Sequence, residues 1–477
     1  MSLNQPTFLF YDYETFGIHT SLDKPAQFAC IRTNINFDII ENPKCFYCFF
    51  SNDYLPDPHA ILMTGITPQY TEKHGTNEYN FSKKIFNIFK QPKTCIIGYN
   101  NIHFDDEITR NIFYRNFFDP YEWSWKNGNS RWDILHLLRA CYALRPEGIK
   151  WPKNDLDLPS FKLSDFTEIN NITHAHAHDA MSDVYATIAI AKLIKNKQPK
   201  LFAFFFKMRK KSALYKLIDL NKSKPIVYVS NNFGAIRHNV SCILPIIWHK
   251  NKNILIAIDL FRDIEKLIFL CTQISFEDDF IKSLFNLGIL LLHFNRCPTL
   301  APIQCIRKED ISRLDFNFLL YYKKIRLLRK NKHIFENIKV MLSKEKEIVS
   351  SSNVDLKIYD AFFCMHDKKI INTIQKTSPS MLKNRTYHFY DYRLKKLLFR
   401  YRARNFYETL NKKEKKVWLK YCLNVLKPTI LKEYVRKIEN LLKEYSYDNK
   451  KIILLNSILF YVFHKYKKLF YENFNLS

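Results

Sequence analysis

The chain has 477 residues, 47% hydrophobic and 25% charged. These are globular values and exclude a disordered or collagen-like chain; the length fits about two to four domains. The unusual number is the charge, 74 Lys and Arg against 46 Asp and Glu, a net of +28. That sign favours polyanions: DNA, RNA or an anionic membrane surface. With only 8 Gly beside 40 Phe and 28 Tyr, the composition also carries the bias of an AT-rich coding sequence, so total charge alone decides little. Its distribution says more. Residues 1–200 hold 21 basic and 22 acidic side chains, residues 201–350 hold 26 and 13, and residues 351–477 hold 27 and 11. Uniform drift does not leave the first 200 residues neutral, so at least two functional parts are expected.

No run reaches the roughly 18 apolar residues that span a bilayer; the stretches 287–294 and 452–463 are too short. The first residues lack the basic and apolar regions of a signal peptide. Eleven scattered cysteines point to reduced thiols. The pair Cys45 and Cys48 has no second pair and reads as buried strand cysteines rather than a zinc site. A cytoplasmic protein with no membrane partner is expected.

In chain order, strands are expected at residues 7–13, 28–33, 45–50 and 94–99. Helices are expected at 81–89, 105–117, 132–142 and 179–195. The last is the clearest, with Ala180, Val184, Ile188, Ala191 and Ile194 at helical spacing. Interleaved strands and helices predict an α/β layer architecture. A first boundary falls near 197–200. Residues 224–260 then carry β-branched, strand-like runs, and basic helices follow across 308–348. Ser350-Ser-Ser-Asn353 marks a second boundary, beyond which the pattern is helical with interruptions at Pro379 and Pro428. The expected domains are 1–200, 201–350 and 354–477.

Four carboxylates and a histidine stand out in the neutral part. Asp12 and Glu14 are two apart on the first strand, so they face the same way. Such a pair occurs often at a solvent-facing strand end, but Leu9, Phe10, Tyr11 and Tyr13 are too apolar for that. Crowded carboxylates call for a cation, and hard oxygen ligands suit Mg²⁺ or Mn²⁺. Asp105 follows the buried strand and opens a helix, at the mouth of an α/β sheet where sites form. Asp106 and Glu107 could merely complement the helix N-terminus. Asp183 lies one turn into the clearest helix, with His178 on the loop before it and Asp179 as the cap. His174 and His176 read as exposed loop residues.

Asp12-Tyr-Glu14, Asn101-Ile-His-Phe-Asp105 and His178-Asp-Ala-Met-Ser-Asp183 match, in order, the three motifs of the DEDDh 3′→5′ exonuclease superfamily. Met63-Thr-Gly-Ile-Thr67 matches a further common segment. Phe10-Tyr-Asp-Tyr-Glu-Thr-Phe-Gly17, Asn111-Ile-Phe-Tyr-Arg-Asn116, Asn129-Ser-Arg-Trp-Asp133, Arg139-Ala-Cys-Tyr-Ala-Leu-Arg-Pro-Glu-Gly148 and Tyr401-Arg-Ala-Arg-Asn-Phe406 resemble the bacterial exonuclease I family over essentially the whole chain. The resemblance implies a ribonuclease H-like exonuclease domain with a mixed sheet, a small Src-homology-3-like β-barrel and an all-α C-terminal domain.

It also implies processive hydrolysis of single-stranded DNA from the 3′ end to 5′-mononucleotides, in repair and recombination. Asp12, Glu14, Asp105 and Asp183 would hold two Mg²⁺ ions, replaceable by Mn²⁺, about 3.5–4 Å apart. One ion would activate water and the other would stabilise the leaving oxygen. His178 would be the general base; histidine titrates near neutral pH, which suits that role.

Arg110, Arg139 and Lys162, with the aromatics Tyr121 and Trp125, correspond to DNA-contacting positions, Lys162 near the terminal nucleotide beside Glu14. Core packing is the competing role for either aromatic. The basic C-terminal parts would clamp the strand. The segment Lys323-Lys-Ile-Arg-Leu-Leu-Arg-Lys-Asn-Lys332 belongs to that clamp or is an ordinary solvated helix face. A further implied partner is the acidic tail of single-stranded-DNA-binding protein; the chain itself is expected to be monomeric. The competing functions are a DEDDh exoribonuclease, whose known members are short and dimeric, and a basic binding module with a decayed acid site.

Overall fold

The computed structural model describes residues 5–174, 177–343 and 351–476, with side chains through Leu469. His176 lies outside the described residues. The chain divides into two compact units that do not follow chain order. The first takes residues 1–129, 175–185 and 350–477; the second takes 130–174 and 186–349.

In the first unit, strands β1 (Thr7–Thr15), β2 (Pro25–Thr33), β3 (Lys44–Cys48), β4 (Gly75–Thr76) and β5 (Thr94–Gly98) lie in the order β4-β3-β2-β1-β5. β1 pairs antiparallel with β2 and parallel with β5, which makes the sheet mixed. Alternation along β1 separates two faces. Leu9, Tyr11 and Tyr13 enter a core with Phe28, Phe81, Ile85, Phe89, Ile108 and Phe113. Each fully buried side chain of this size contributes about 1.5–3 kcal/mol. The other face carries Phe8 and Phe10, packed on Phe37, and then Asp12 and Glu14. Gly98 ends β5 where a Cβ would meet the Asn101 side chain at 2.6 Å and the Tyr11 carbonyl at 3.1 Å, so only glycine allows this approach.

The C-terminal helices share cores with this sheet unit. Phe16, Phe50 and Ile61 pack with Ile438, Leu441, Leu455, Ile458 and Val462. Tyr114 and Phe117 pack with Val354, Ile374, Leu394 and Tyr401. The helical run breaks before both prolines, as expected, and each proline begins the next helix, Pro379–Leu382 and Pro428–Glu444. Proline fits there because the first helical N–H has no partner in any case. Asn411 and Glu414 form a capping box at the start of Lys412–Val425. A polar lock ties the same segments. Arg404 binds Asp53 Oδ2 through Nη2 (2.8 Å) and Nε (3.0 Å), and Asp355 through Nη2 (2.6 Å) and Nη1 (3.1 Å). Arg400 adds a 2.9 Å bond to Asp355.

In the second unit, β6 (Ser130–Asp133) precedes the helix Ile134–Leu144. A helix was expected from residue 132. Asp133 accepts from the Leu135 N–H at 2.9 Å and caps the helix, so Trp132 stays on the strand. Strands β7 (Ile226–Val229), β8 (Val240–Trp248), β9 (Ile254–Asp259), β10 (Ile289–His293) and β11 (Thr299–Pro302) form an antiparallel sheet in the order β10-β9-β8-β7-β11. The basic helices follow at Lys308–Arg313, Phe318–Lys330 and His333–Ser343. The 323–332 segment is partly anchored: Lys324 Nζ donates to the Leu260 and Arg262 carbonyls at 2.8 and 2.7 Å, and Arg329 donates to the Lys222 carbonyl at 2.8 Å.

All eleven cysteines are free thiols. Cys48 is buried, but Cys45 is exposed, contrary to expectation; its sulfur lies 3.3 Å from Gln27 Nε2. Among the described residues no helix is long and apolar enough to cross a membrane.

Candidate active site

The end of β1 sets the centre. Asp12 is half-buried and Glu14 is 8% exposed. The helix Ala180–Lys197 brings Asp183 to them, in its first turn. One carboxylate oxygen from each of Asp12, Glu14 and Asp183 lies within 4.8 Å of the others. Asp105 stands outside that cluster but against its backbone, its Oδ1 accepting from the Tyr13 N–H at 3.2 Å.

Burial pushes the Asp12 carboxyl well above its ordinary value, and the charges of Asp105, Glu14 and Asp183 push it further. Burial raises Glu14 to about 9, helped by Asp183, Asp105 and Asp179. Three convergent oxygens under mutual repulsion fit a divalent cation with hard oxygen ligands. Neutralising that charge is what the donor set requires.

His178 is not one of the three convergent residues. It is exposed, immediately before the helix, and in the left-handed region at φ 65°. Asp179 is the expected cap: its Oδ2 accepts from Ser182 N–H at 3.1 Å, and its carbonyl accepts from Asp183 N–H at 3.0 Å. His174 is not an exposed loop residue. It is half-buried, with Nδ1 3.2 Å from the Thr167 hydroxyl.

Asp106 and Glu107 have specific partners beyond the helix N-terminus. Asp106 is fully buried and accepts from the Tyr11 hydroxyl at 2.6 Å and Asn101 Nδ2 at 3.2 Å. Burial, then the Asp106 charge, holds the Tyr11 phenol well above its ordinary value, which keeps it a donor. Glu107 pairs with Arg110 and accepts from the Tyr359 hydroxyl.

The expected DNA-contacting residues are distributed between the units. Arg110, Tyr121 and Trp125 belong to the first, Arg139 and Lys162 to the second. Arg110 is held by Glu107 and lies 3.4 Å from the Tyr359 hydroxyl. Tyr121 donates to the Ile358 carbonyl at 3.2 Å and meets the Phe362 ring edge-on at 5.5 Å. Trp125 is 61% exposed. The Arg139 guanidinium lies 5.8 Å over the Phe161 ring. Lys162 is exposed at the start of Leu163–Ile169.

Two contributors were missed from sequence. Tyr359 lies 252 residues from Glu107, and no local pattern announces it. Gln27 sits in β2 directly across from Glu14, with 1% exposure. A lone glutamine between apolar neighbours in Pro25–Thr33 was the readable signal.

A mixed sheet with a carboxylate cluster at the end of β1 places the chain among the ribonuclease H-like exonucleases. An exonuclease family model matches residues 9–191, an exonuclease I SH3-like domain matches 209–344, and an exonuclease I C-terminal domain matches 352–465. Exodeoxyribonuclease I of Buchnera aphidicola subsp. Schizaphis graminum is 64% identical over 475 residues, 99% of this chain and 98% of that protein. A crystal structure of Escherichia coli exonuclease I in complex with a dA16 oligonucleotide aligns at a TM-score of 0.92 and 45% identity, covering 97% of this chain and 100% of that one. A crystal structure of SSB/exonuclease I in complex with an inhibitor aligns at 0.91 and 45%, covering 97% and 100%. The chain belongs to the exodeoxyribonuclease I family.

Proposed function

We propose that the chain hydrolyses single-stranded DNA processively from its 3′ end, releasing 5′-mononucleotides, as a 3′→5′ exodeoxyribonuclease of DNA repair and recombination. The observation that carries this is the convergence of Asp12, Glu14 and Asp183 within 4.8 Å in a chain that matches the family along nearly its whole length.

Asp12, Glu14, Asp105 and Asp183 would hold two Mg²⁺ ions, with Mn²⁺ as a substitute. The chemistry supplied when they are bound is charge neutralisation at the scissile phosphate and acidification of water. His178 accepts the proton of the attacking water at a ring nitrogen. Asp105, bonded to the Tyr13 N–H, braces the strand between the two β1 carboxylates. Trp125 and Tyr121 offer faces on which bases stack. Arg110, Arg139 and Lys162 counter phosphate charge, with Lys162 at the terminal nucleotide. Parts 201–350 and 351–477 carry the excess positive charge and hold the strand between cuts. Domain limits at 1–200, 201–350 and 354–477 accompany this reading. So do a cytoplasmic, monomeric state and a basic patch that receives the acidic tail of single-stranded-DNA-binding protein.

The test is digestion of end-labelled oligonucleotides. With DNA in excess, a 5′-labelled single strand should pass from full length to short end products with few intermediates in Mg²⁺ and persist in EDTA, while blunt duplex persists. Loss of label first from the 5′ end, or preferential digestion of RNA, would reject the proposal.

A further inference from the structure

Asp183 and His178 flank one helix start, and that start is held from the neighbouring strand. Gln27 Nε2 donates to Asp179 Oδ1 at 2.8 Å, and Gln27 Oε1 accepts from the Ala180 N–H at 3.1 Å. One amide therefore engages both the capping carboxylate and the first helical N–H. Such a pairing fixes the direction in which the helix enters. Gln27 is fully buried and stands opposite Glu14 in the β1–β2 ladder, so the clamp is anchored beside the metal ligands. Asp179 Oδ2 completes the start by accepting from Ser182 N–H at 3.1 Å. Side chains on either side of the clamp are the two that chemistry needs in register: His178 one residue before Asp179, Asp183 four residues after.

We propose that Gln27 is a positioning residue, whose two hydrogen bonds to the start of the Ala180–Lys197 helix set His178 and Asp183 against the carboxylates of β1. This rests on the proposed roles of His178 and Asp183. An amide is suited to the task because it offers a donor and an acceptor side by side. Glutamate at this position would place a second acceptor against Asp179, and methionine would fill the space with neither bond.

The experiment uses the full chain and a labelled single-stranded oligonucleotide with Mg²⁺. Gln27→Met should lower kcat by about 10–100-fold, the range for residues that orient metal ligands. DNA affinity measured with Ca²⁺ should stay within about twofold. A merely structural loss would also lower kcat, so the deciding readout is a double variant. If Gln27 sets both residues, Gln27→Met added to His178→Ala should cost about threefold less than it costs in the wild type, because one of the two residues it orients is already gone. The same fold loss in both backgrounds overturns the proposal, as does kcat of Gln27→Met within twofold of wild type. Should the wild-type chain itself not degrade single-stranded DNA, the parent reading fails instead, which is seen before any variant is compared.

Discussion

Arg404→Ala probes the lock between the sheet unit and the C-terminal helices. Arg404, Asp53 and Asp355 have side chains no more than 8% exposed, and Arg404 makes four bonds of 2.6–3.1 Å to the two carboxylates. Removing one partner of a buried ion pair costs about 3–5 kcal/mol, because the other charge is left uncompensated. Arg400 still meets Asp355 at 2.9 Å, so the loss falls mainly on Asp53 and belongs at the lower end, about 3 kcal/mol. An exposed pair would cost about 0–1 kcal/mol. The assay is urea unfolding of the full chain, followed by circular dichroism with refolding verified.

The pH dependence carries a sign. Burial alone would raise both carboxyls, but Arg404 more than offsets it and holds Asp53 and Asp355 below the ordinary carboxylate range. Folded values below unfolded ones mean stability present above about pH 4 and lost as pH falls through the folded values. The gap between wild type and Arg404→Ala should therefore be full at pH 7 and narrow below pH 4. Arg404→Lys should recover only part, since lysine lacks the planar fork. A loss under 1 kcal/mol at pH 7, or a gap unchanged down to pH 3, would refute the reasoning.

His178→Ala should lower kcat by about 10²–10⁴-fold, and Asp183→Ala should nearly abolish cleavage, both with DNA binding largely intact; full cleavage by either variant would remove these assignments. Mg²⁺ should raise the melting temperature of the wild-type chain but much less that of Glu14→Gln, read by differential scanning fluorimetry. Affinity for oligo-dT should fall steeply with salt, log K against log salt having a slope of about −0.7 per phosphate neutralised; a flat response would remove the basic clamp. Trp125→Ala should weaken single-strand binding by about 1–3 kcal/mol at unchanged melting temperature, since 61% of its surface is already in solvent.

The carboxylate cluster was legible because its signals are local. Asp12 and Glu14 alternate with core residues on one strand, and Asp183 lies one turn into an apolar-striped helix. Asp179 as cap follows from its place before that stripe. Contacts between distant segments were not legible. Nothing near Phe16 or Phe50 says that Ile438, Leu455 and Ile458 complete their core. Burial also depends on what arrives from elsewhere, so Asp106 reads as a helix-end charge and proves to be the fully buried acceptor of Tyr11. The helix expected from residue 132 shows the limit of periodicity: Asp133 decides the start, and a capping side chain outweighs an apolar pattern by one or two residues. Cys45 shares a strand with Cys48 but, three residues earlier, points to the opposite face, where it is left exposed.

The shared cores impose an order on how the molecule comes into being. Glu72 binds the Tyr461 hydroxyl across 389 residues of chain, and Gln69 reaches the Ser457 carbonyl across 388. During synthesis the N-terminal sheet leaves the ribosome long before the helices that cover Phe16, Phe50 and Ile61 exist. Its apolar flank must wait uncovered, exposed to chaperones and to aggregation. Closing so long a loop adds delay to the final step. A nascent chain would therefore hold all the carboxylates of the cluster well before it holds a finished body around them. An enzyme that destroys single-stranded DNA would thus mature only after most of its chain has been made.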